Sequence, residues 1–399
     1  MSVAVGLLLS WSVALAAVGG VAVARSRARR AHARRERTGP ATGTTALLVV
    51  RPCCGAEPEL ERTLGSALTL AATGASLAVV HAVGSEDDAA TSAAATAAAR
   101  LRDCGLDATL LVTRAVGPNH KAAQLARAVA AAPGPWSVLV CADSDVLLGP
   151  DSLAALLAPF ADPAVGAVWA PPHEAAAPIT RGDRASAAVL GRSLHAFALL
   201  AALDRDGLVG KLLAVRREAL ADAGGFAALT TVLGEDVELG RRLRARGWRV
   251  ARSSHGARSL ARGRPFAAVV ARYARWMQVV RGQRPWLLPS YPLLFFATPV
   301  LVSAGLLLAA VALAAGQAGS ACGAMAAVAS AVAARLVVAA EAGAATEARA
   351  AGPWRLVTNA LLADVTLALA FARASTTRAL VWRGRPLAVR PGGRLEECT

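Results

Sequence analysis

The sequence predicts an α/β domain held between membrane helices, and three observations predict it. Short apolar runs alternate with alanine-rich helical stretches over residues 45–145. An uncharged run of 22 residues stands near the N-terminus, and three further apolar runs follow residue 290. Composition agrees: the 399 residues are 55% hydrophobic and only 4% aromatic, with a mean hydropathy of +0.46. A soluble enzyme of this size is seldom so apolar.

The N-terminal run "VAVGLLLSWSVALAAVGGVAVA", residues 3–24, is long enough to cross a bilayer. A cleaved signal peptide is the rival reading, but the charge lies on the wrong side. The basic stretch "RSRARRAHARRER" follows the apolar run instead of preceding it. Basic residues stay in the cytoplasm, so the N-terminus is expected outside and the next domain inside. Residues 1–24 are therefore an anchor and 25–44 a basic linker.

The runs "TALLVVRP" (45–52), "ASLAVVHAV" (75–83), "DATLLVTRA" (107–115) and "WSVLVCADSD" (136–145) have the length and content of strands. Helical stretches at 56–72, 88–103 and 120–132 separate them. Strands that are apolar throughout indicate a mostly parallel sheet covered on both faces. Ligands of such sheets collect at the carboxyl edge of the strands. The α/β domain is assigned to 45–255, followed by a basic amphipathic interfacial region at 256–292. Apolar runs at 293–315, 321–340 and 356–372 supply two or three membrane segments within 293–373. Arg335 and Asp364 interrupt the last two, where charge is expensive unless it is paired. Residues 374–399 form a basic tail; four full spans would put it outside, against the charge rule, whereas a re-entrant or interfacial segment among the last two would leave it in the cytoplasm.

The formal charge of +16 raises the question of nucleic acid. The arginines gather beside apolar runs and in the tail, with few aromatics between them. That pattern favours an anionic phospholipid surface and a phosphorylated substrate over a polynucleotide. The six cysteines have no metal-ligand spacing and read as reduced thiols.

Five stretches carry residues suited to chemistry. In "VCADSDV", Asp143 and Asp145 follow an apolar strand, and residues two apart in an extended chain point the same way. Such a pair suits a hard divalent cation with positions left for substrate oxygens, although aspartates are also ordinary in turns after strands. "VLGEDVELGRRLRARGWRV" places Glu235 and Asp236 at the start of a helix, where one can serve the helix dipole or stay exposed as a general base. "GPNHKAAQL" offers Asn119, Lys121 and Gln124 at another helix start, where an anion can bind or a lysine simply be solvated. "RPCCGAEPELERTL" is a strand–loop–helix of the nucleotide-binding sort, with Arg51 at the strand end. It lacks the dinucleotide and P-loop spacings. "ARYARWMQVVR" (271–281) puts Arg272, Arg275 and Trp276 on one helical face, with Arg281 left as a lipid contact.

Taken in order over residues 45–290, these pieces resemble the ceramide glucosyltransferase family and its bacterial relatives, the hopanoid glycosyltransferases. The resemblance rests on "RPCCGAEPEL", "NHKAAQL", "ADSDV", "ALADAGGF", "LGEDVELGRRLRARGWRV" and "RYARW". It implies a GT-A (nucleotide-diphospho-sugar transferase) domain carrying N-terminal and C-terminal transmembrane helices. By similarity, Asp143 and Asp145 take part in binding a divalent cation, magnesium or manganese, and Asp236 is the general base. Arg51, Glu57, Lys121 and Asp143 are expected at the donor and its diphosphate, as are Arg272, Arg275 and Trp276. Glu235 and His195 support the site or the acceptor, though a histidine satisfied in the core is an equal reading. Ser85 stands where relatives carry a nucleoside-binding aspartate; the role then falls to Glu86 or Asp87, and Asp87 is taken here.

The implied activity is inverting transfer of one sugar, glucose or N-acetylglucosamine, from a UDP-sugar to a hydroxyl of a ceramide- or hopanoid-like membrane lipid. Two alternatives compete with it: a processive polysaccharide synthase, which needs more membrane helices, and a catalytically inactive scaffold. The expected place is the inner membrane of a bacterium, with the catalytic domain facing the cytoplasm.

Overall fold

A computed structural model describes residues 1–36, 46–73, 76–132, 134–204, 207–346, 352–377, 379–382 and 385–397. The chain opens with helix α1 (Ser2–Glu36). The first half of the sheet domain follows as β1 (Leu47–Pro52), α2 (Leu60–Gly65), β2 (Leu77–Val83), α3 (Thr91–Asp103), β3 (Asp107–Val112), α4 (His120–Ala131) and β4 (Val138–Ala142). It continues with α5 (Pro150–Leu157), β5 (Val165–Trp169), β6 (Pro172–Glu174), α6 (Arg181–Arg192), α7 (Phe197–Leu203), β7 (Leu212–Arg216) and α8 (Arg217–Asp222). Then come α9 (Glu235–Ala245), β8 (Arg249–Arg252), β9 (Ala257–Ser259), α10 (Phe266–Gln283), α11 (Ala297–Ala314), α12 (Ala318–Ala345) and α13 (Pro353–Thr376). Three short strands, β10 (Ala379–Trp382), β11 (Arg385–Val389) and β12 (Leu395–Glu397), close the chain.

The elements gather into two compact units, one of residues 33–177, 206–263 and 378–399, the other of 1–32, 178–205 and 264–377. This differs from the linear division read from the sequence: 178–205 groups with the apolar helices, the basic tail groups with the sheet, and the expected linker and interfacial region are each divided, at 32/33 and 263/264.

In the first unit seven strands form one sheet in the order β3-β2-β1-β4-β7-β5-β8. Neighbours are parallel except β7, which runs antiparallel to both β4 and β5. The sheet is thus α/β and mostly parallel, as continuous apolar strands demand: every residue of β1, β4 and β5 is buried. This topology brings unlike chain ends to one edge. β1 and β4 end there, and the antiparallel β7 begins there, so residue 211 lies beside residue 143, where the Asp143 N–H donates to the Lys211 carbonyl at 2.9 Å. The small parallel pair β6–β9 and the antiparallel meander β10-β11-β12 complete the unit.

The second unit is helical. Five of the described helical segments are long and apolar enough to cross a membrane: 2–32, 181–203, 297–314, 318–345 and 353–376. The chain is a membrane protein by this measure. The segment 181–203 is the most enclosed of the five, and α6 supplies Ala185, Ala188 and Val189 to the apolar core of the unit. The basic stretch after the N-terminal anchor is not a linker over its first half, because α1 continues to Glu36. Its arginines find fixed partners: Arg25 and Arg29 donate to the carbonyls of Ala202 and Ala201 at the end of α7, at 3.0 and 2.7 Å, where cations complement a helix C-terminus. Arg27 and Arg30 pair with the buried Glu341 at 3.0 and 2.7 Å. Residues 37–44 of the expected linker lie outside the described residues, as do 378, 383–384 and 398–399 of the tail.

The two charges that interrupt the C-terminal apolar runs meet each other. The Arg335 guanidinium of α12 donates to Asp364 of α13 at 2.8 Å, and also to the carbonyls of Arg192 and Ala360 at 2.7 and 2.8 Å. Both side chains are almost wholly buried, so the pair lets α12 and α13 keep apolar surfaces elsewhere. Breaking a buried pair from one side leaves the other charge uncompensated, at a cost of about 3–5 kcal/mol. Arg335→Met is therefore expected to lower the thermal midpoint of the detergent-solubilised protein sharply, and Arg335→Met/Asp364→Leu to recover much of the loss. A double variant no more stable than the single one would show that the ion pair is not the dominant contact.

Candidate active site

The D-x-D stretch leaves the end of β4 and is held from both sides. Beneath it lies Arg51 of β1, whose guanidinium is fully buried. It donates to the carbonyls of Asp143 at 3.0 Å, Ser144 at 3.3 Å, Val146 at 2.5 Å and Thr63 at 2.5 Å. On the other side Val146 bridges Ser259 of β9, and Leu260 N–H donates to the Asp145 carbonyl at 2.8 Å. The Asp145 carboxylate accepts from Ser259 Oγ at 2.9 Å and lies 2.5 Å from Lys211 Nζ. Asp143 lies 2.6 Å from Lys121 Nζ and 3.7 Å from Lys211 Nζ. Between the aspartates, Ser144 Oγ donates to Glu57 at 2.8 Å.

Lys121 ties this edge to the second carboxylate pair. Its ammonium also donates to the Gly210 carbonyl at 2.9 Å and lies 3.6 Å from Glu235. Asn119 caps α4 by accepting from the Ala122 N–H at 3.0 Å. Its amide donates to the Val232 carbonyl at 2.7 Å and to Glu235 at 3.0 Å. The loop before α9 is held from the tail as well: Leu395 N–H donates to Thr231 and Leu233 N–H to Gly393, both at 2.8 Å. Gly234 turns the chain into α9 with φ +75, a left-handed conformation that favours glycine.

Asp236 therefore sits in a fixed frame in the first turn of α9, where the helix dipole favours negative charge. One carboxylate oxygen accepts from the Gly210 N–H at 2.7 Å and the other from the Val237 N–H at 2.9 Å. A side chain at residue 210 would crowd this contact, since a Cβ there would lie 3.1 Å from the Asp236 Cβ and 3.3 Å from Lys121 Nζ. Burial, reinforced by the neighbouring Glu235, raises Asp236 to a pKa of about 6, against the opposing pull of Lys121 and the two N–H donors. Burial first and Asp145 second also raise Glu57 above the usual carboxylate range. Burial alone would lower Lys121, but Asp143 and Glu235 outweigh it and raise its pKa.

The expected site residues separate into four groups. Glu57, Lys121, Asp143, Asp145, Glu235 and Asp236 converge at the carboxyl edge of the sheet. Arg51 shares their location but not the expected role: enclosed and donating to four carbonyls, it shapes the D-x-D loop and has no surface to offer a diphosphate. Asp87 is exposed, while its neighbour Asp88 accepts from the Gly55 N–H at 2.8 Å and joins the β1 loop. Arg272, Arg275, Trp276 and His195 belong to the helical unit. There the Arg272 guanidinium lies over the rings of Tyr273 and Trp276 at 5.2 and 5.3 Å and donates to Ser186. His195 stacks on Trp276 at 6.2 Å and contacts Tyr291 through Nε2 at 3.3 Å; it is a core histidine of an aromatic cluster. Arg281 donates to the carbonyls of Ala374 and Thr377 at the end of α13. Lys211, Gly210, Ser144 and Ser259 were not read from the sequence as site residues; "GK" before an apolar strand was the one visible signal, and it is slight.

Among the described residues no cluster of three or more His, Cys, Asp or Glu is arranged as a metal cage. The two aspartates nonetheless fit a magnesium-like cation, which is commonly held by one or two carboxylates, substrate phosphates and water. The Lys211 ammonium lies within ion-pair distance of both carboxylates.

A family model described as glycosyl transferase family 21 matches residues 9–395. No curated protein sequence matches the chain. Among solved structures, a mannosyltransferase from Pyrobaculum calidifontis in complex with GDP-Man and Mn2+ is 21% identical over 92% of this chain and 98% of its own, with a TM-score of 0.44. Glucosyl-3-phosphoglycerate synthase from Mycobacterium tuberculosis, in complex with Mg2+ and UDP, is 21% identical over 59% and 77%, with a TM-score of 0.36. Mannosyl-3-phosphoglycerate synthase from Rubrobacter xylanophilus is 16% identical over 63% and 75%, with a TM-score of 0.35.

Asn119→Ala removes a helix cap and two buried hydrogen bonds at once, each worth roughly 1 kcal/mol. It is expected to destabilise the protein by about 2–3 kcal/mol in denaturant titrations and to lower kcat more than it raises KM for the donor. Unchanged kcat would mean that the loop before α9 does not need this clamp.

Proposed function

We propose, for a chain that belongs to glycosyl transferase family 21, inverting transfer of one sugar from a UDP-sugar to a hydroxyl of a membrane lipid. The chain is a glycosyltransferase; the donor, the acceptor and the stereochemistry are the reading advanced here. The sugar is glucose or N-acetylglucosamine, and the acceptor is ceramide- or hopanoid-like. The place is a bacterial inner membrane, with the sheet domain on the cytoplasmic side.

The observation that carries the reading is the Lys121 junction, which holds a D-x-D pair and an E-D pair in one frame with Asp236 raised to about 6. A single displacement needs a base on the acceptor side and cationic stabilisation of the leaving diphosphate. Asp236 takes the proton of the acceptor hydroxyl as its oxygen bonds to the anomeric carbon, and UDP departs with the electron pair of the broken bond. Gly210 and Val237 hold both carboxylate oxygens in place, and Glu235 raises the basicity of its neighbour. Asp143 and Asp145 would hold a divalent cation, which when bound neutralises charge on the diphosphate. Arg272, Arg275 and Trp276 are assigned to the donor by the motif they share with the family, and His195 is left as a positioning residue of their cluster.

Asp236→Asn is expected to reduce transfer by at least 10²-fold, the lower range for loss of a general base, while donor binding changes by no more than a few fold. For the unaltered enzyme, Asp236 accepts a proton only when ionised, so kcat should fall as the pH drops through about 6 and level off above it. An acid limb that persists unchanged in Asp236→Asn, or one centred near pH 4, would remove Asp236 as the base. Mass spectrometry of total lipids with and without the gene should reveal a hexose- or N-acetylhexosamine-shifted species; its absence would exclude a lipid acceptor.

A further inference from the structure

We infer that Lys211 is an internal counter-cation: it holds the Asp143–Asp145 pair in the unloaded enzyme, cedes that place to the divalent cation, and turns to the diphosphate that arrives with it. The inference rests on the reading of Asp143 and Asp145 as a cation site and adds to it a residue and an order of events.

The geometry carries it. Lys211 lies at the start of β7, and the antiparallel pairing of β7 with β4 sets its backbone against Asp143. Its ammonium lies 2.5 Å from Asp145 Oδ2 and 3.7 Å from Asp143 Oδ2. A divalent cation shared by the two carboxylates would need that same interval, and two cations so close repel strongly at a partly buried site. Lys121 does not compete for this place, because it holds the opposite oxygen of Asp143 and is anchored by Glu235 and the Gly210 carbonyl. Residue type matters as well. A lysine is a point charge on a flexible four-carbon stem and can swing away while keeping its charge, whereas the planar fork of an arginine is committed to its partners. The side chain retains some solvent exposure, 21%, so a path outward exists.

Two consequences follow. Without nucleotide, Lys211 weakens divalent-cation binding by neutralising the ligands in advance. With nucleotide, the displaced ammonium gains phosphate oxygens as new partners, so cation and diphosphate strengthen each other's binding, and by linkage the coupling is the same in both directions.

The test titrates Mn2+ into the full-length protein in detergent and reads free Mn2+ by electron paramagnetic resonance, with and without UDP. Lys211→Met should bind Mn2+ at least tenfold more tightly than the unaltered protein when UDP is absent. It should also lose most of the tightening that UDP confers. Lys211→Arg, which keeps the charge, should bind Mn2+ no better than the unaltered protein. Should Lys211→Met lower the melting temperature, Lys211→Gln serves the same comparison with a polar side chain of smaller bulk. Asp143→Asn/Asp145→Asn should abolish Mn2+ binding in either condition. Mn2+ binding that is equal or weaker in both neutral variants, with the aspartate double variant inactive in binding, would overturn the role of Lys211 alone. Mn2+ binding retained by the aspartate double variant would overturn the cation site itself and this inference with it.

Discussion

The structure of the candidate site depends on one ammonium group. Lys121 Nζ reaches Asp143 after β4, Glu235 in the first turn of α9 and the carbonyl of Gly210 before β7. Three segments far apart in sequence thus converge on a point charge that is strong enough, in a partly enclosed setting, to offset the mutual repulsion of the carboxylates around it. Gly210 passes the constraint on, since its N–H holds Asp236 while its carbonyl holds Lys121. The raised pKa of Asp236 is the residue of that balance: burial and Glu235 push it up, and Lys121 keeps it from rising further.

Elsewhere the same rule applies to charges that are removed from water: each is bonded in several directions. Arg51 is enclosed and donates to four carbonyls. Arg335 meets a carboxylate and two carbonyls within an otherwise apolar bundle, and Glu341 receives two arginines of α1. These groups explain why a chain so rich in arginine need not bind polyanions: many of the cations on view in the sequence are internal struts of the fold.

Much of the architecture was legible in one dimension. Strand–helix alternation and uniformly apolar strands specify a covered, mostly parallel sheet, and long uncharged runs specify membrane helices. D-x-D and E-D were legible as carboxylate pairs because their spacing is local. The misreadings have a common origin. Arg51 at a strand end looks like an anion binder until the carbonyls of a loop more than 90 residues away close around it. The arginines of 25–30 look like a solvated linker until Ala201, Ala202 and Glu341 are placed beside them. Lys211 carries only the slight local signal of a "GK" before an apolar strand, since its carboxylate partner lies 66 residues earlier, across an antiparallel strand pair.

By itself, then, the sequence determined the first four strands of the sheet, the N-terminal and C-terminal apolar helices, and the paired carboxylates. Period, apolar length and residue type are properties of neighbours along the chain. Only the tertiary structure decided which of those charges remain available to a substrate. Pairing between distant strands and loops sets burial and partners, and burial and partners are what turn Arg51 into a strut and raise the pKa of Asp236.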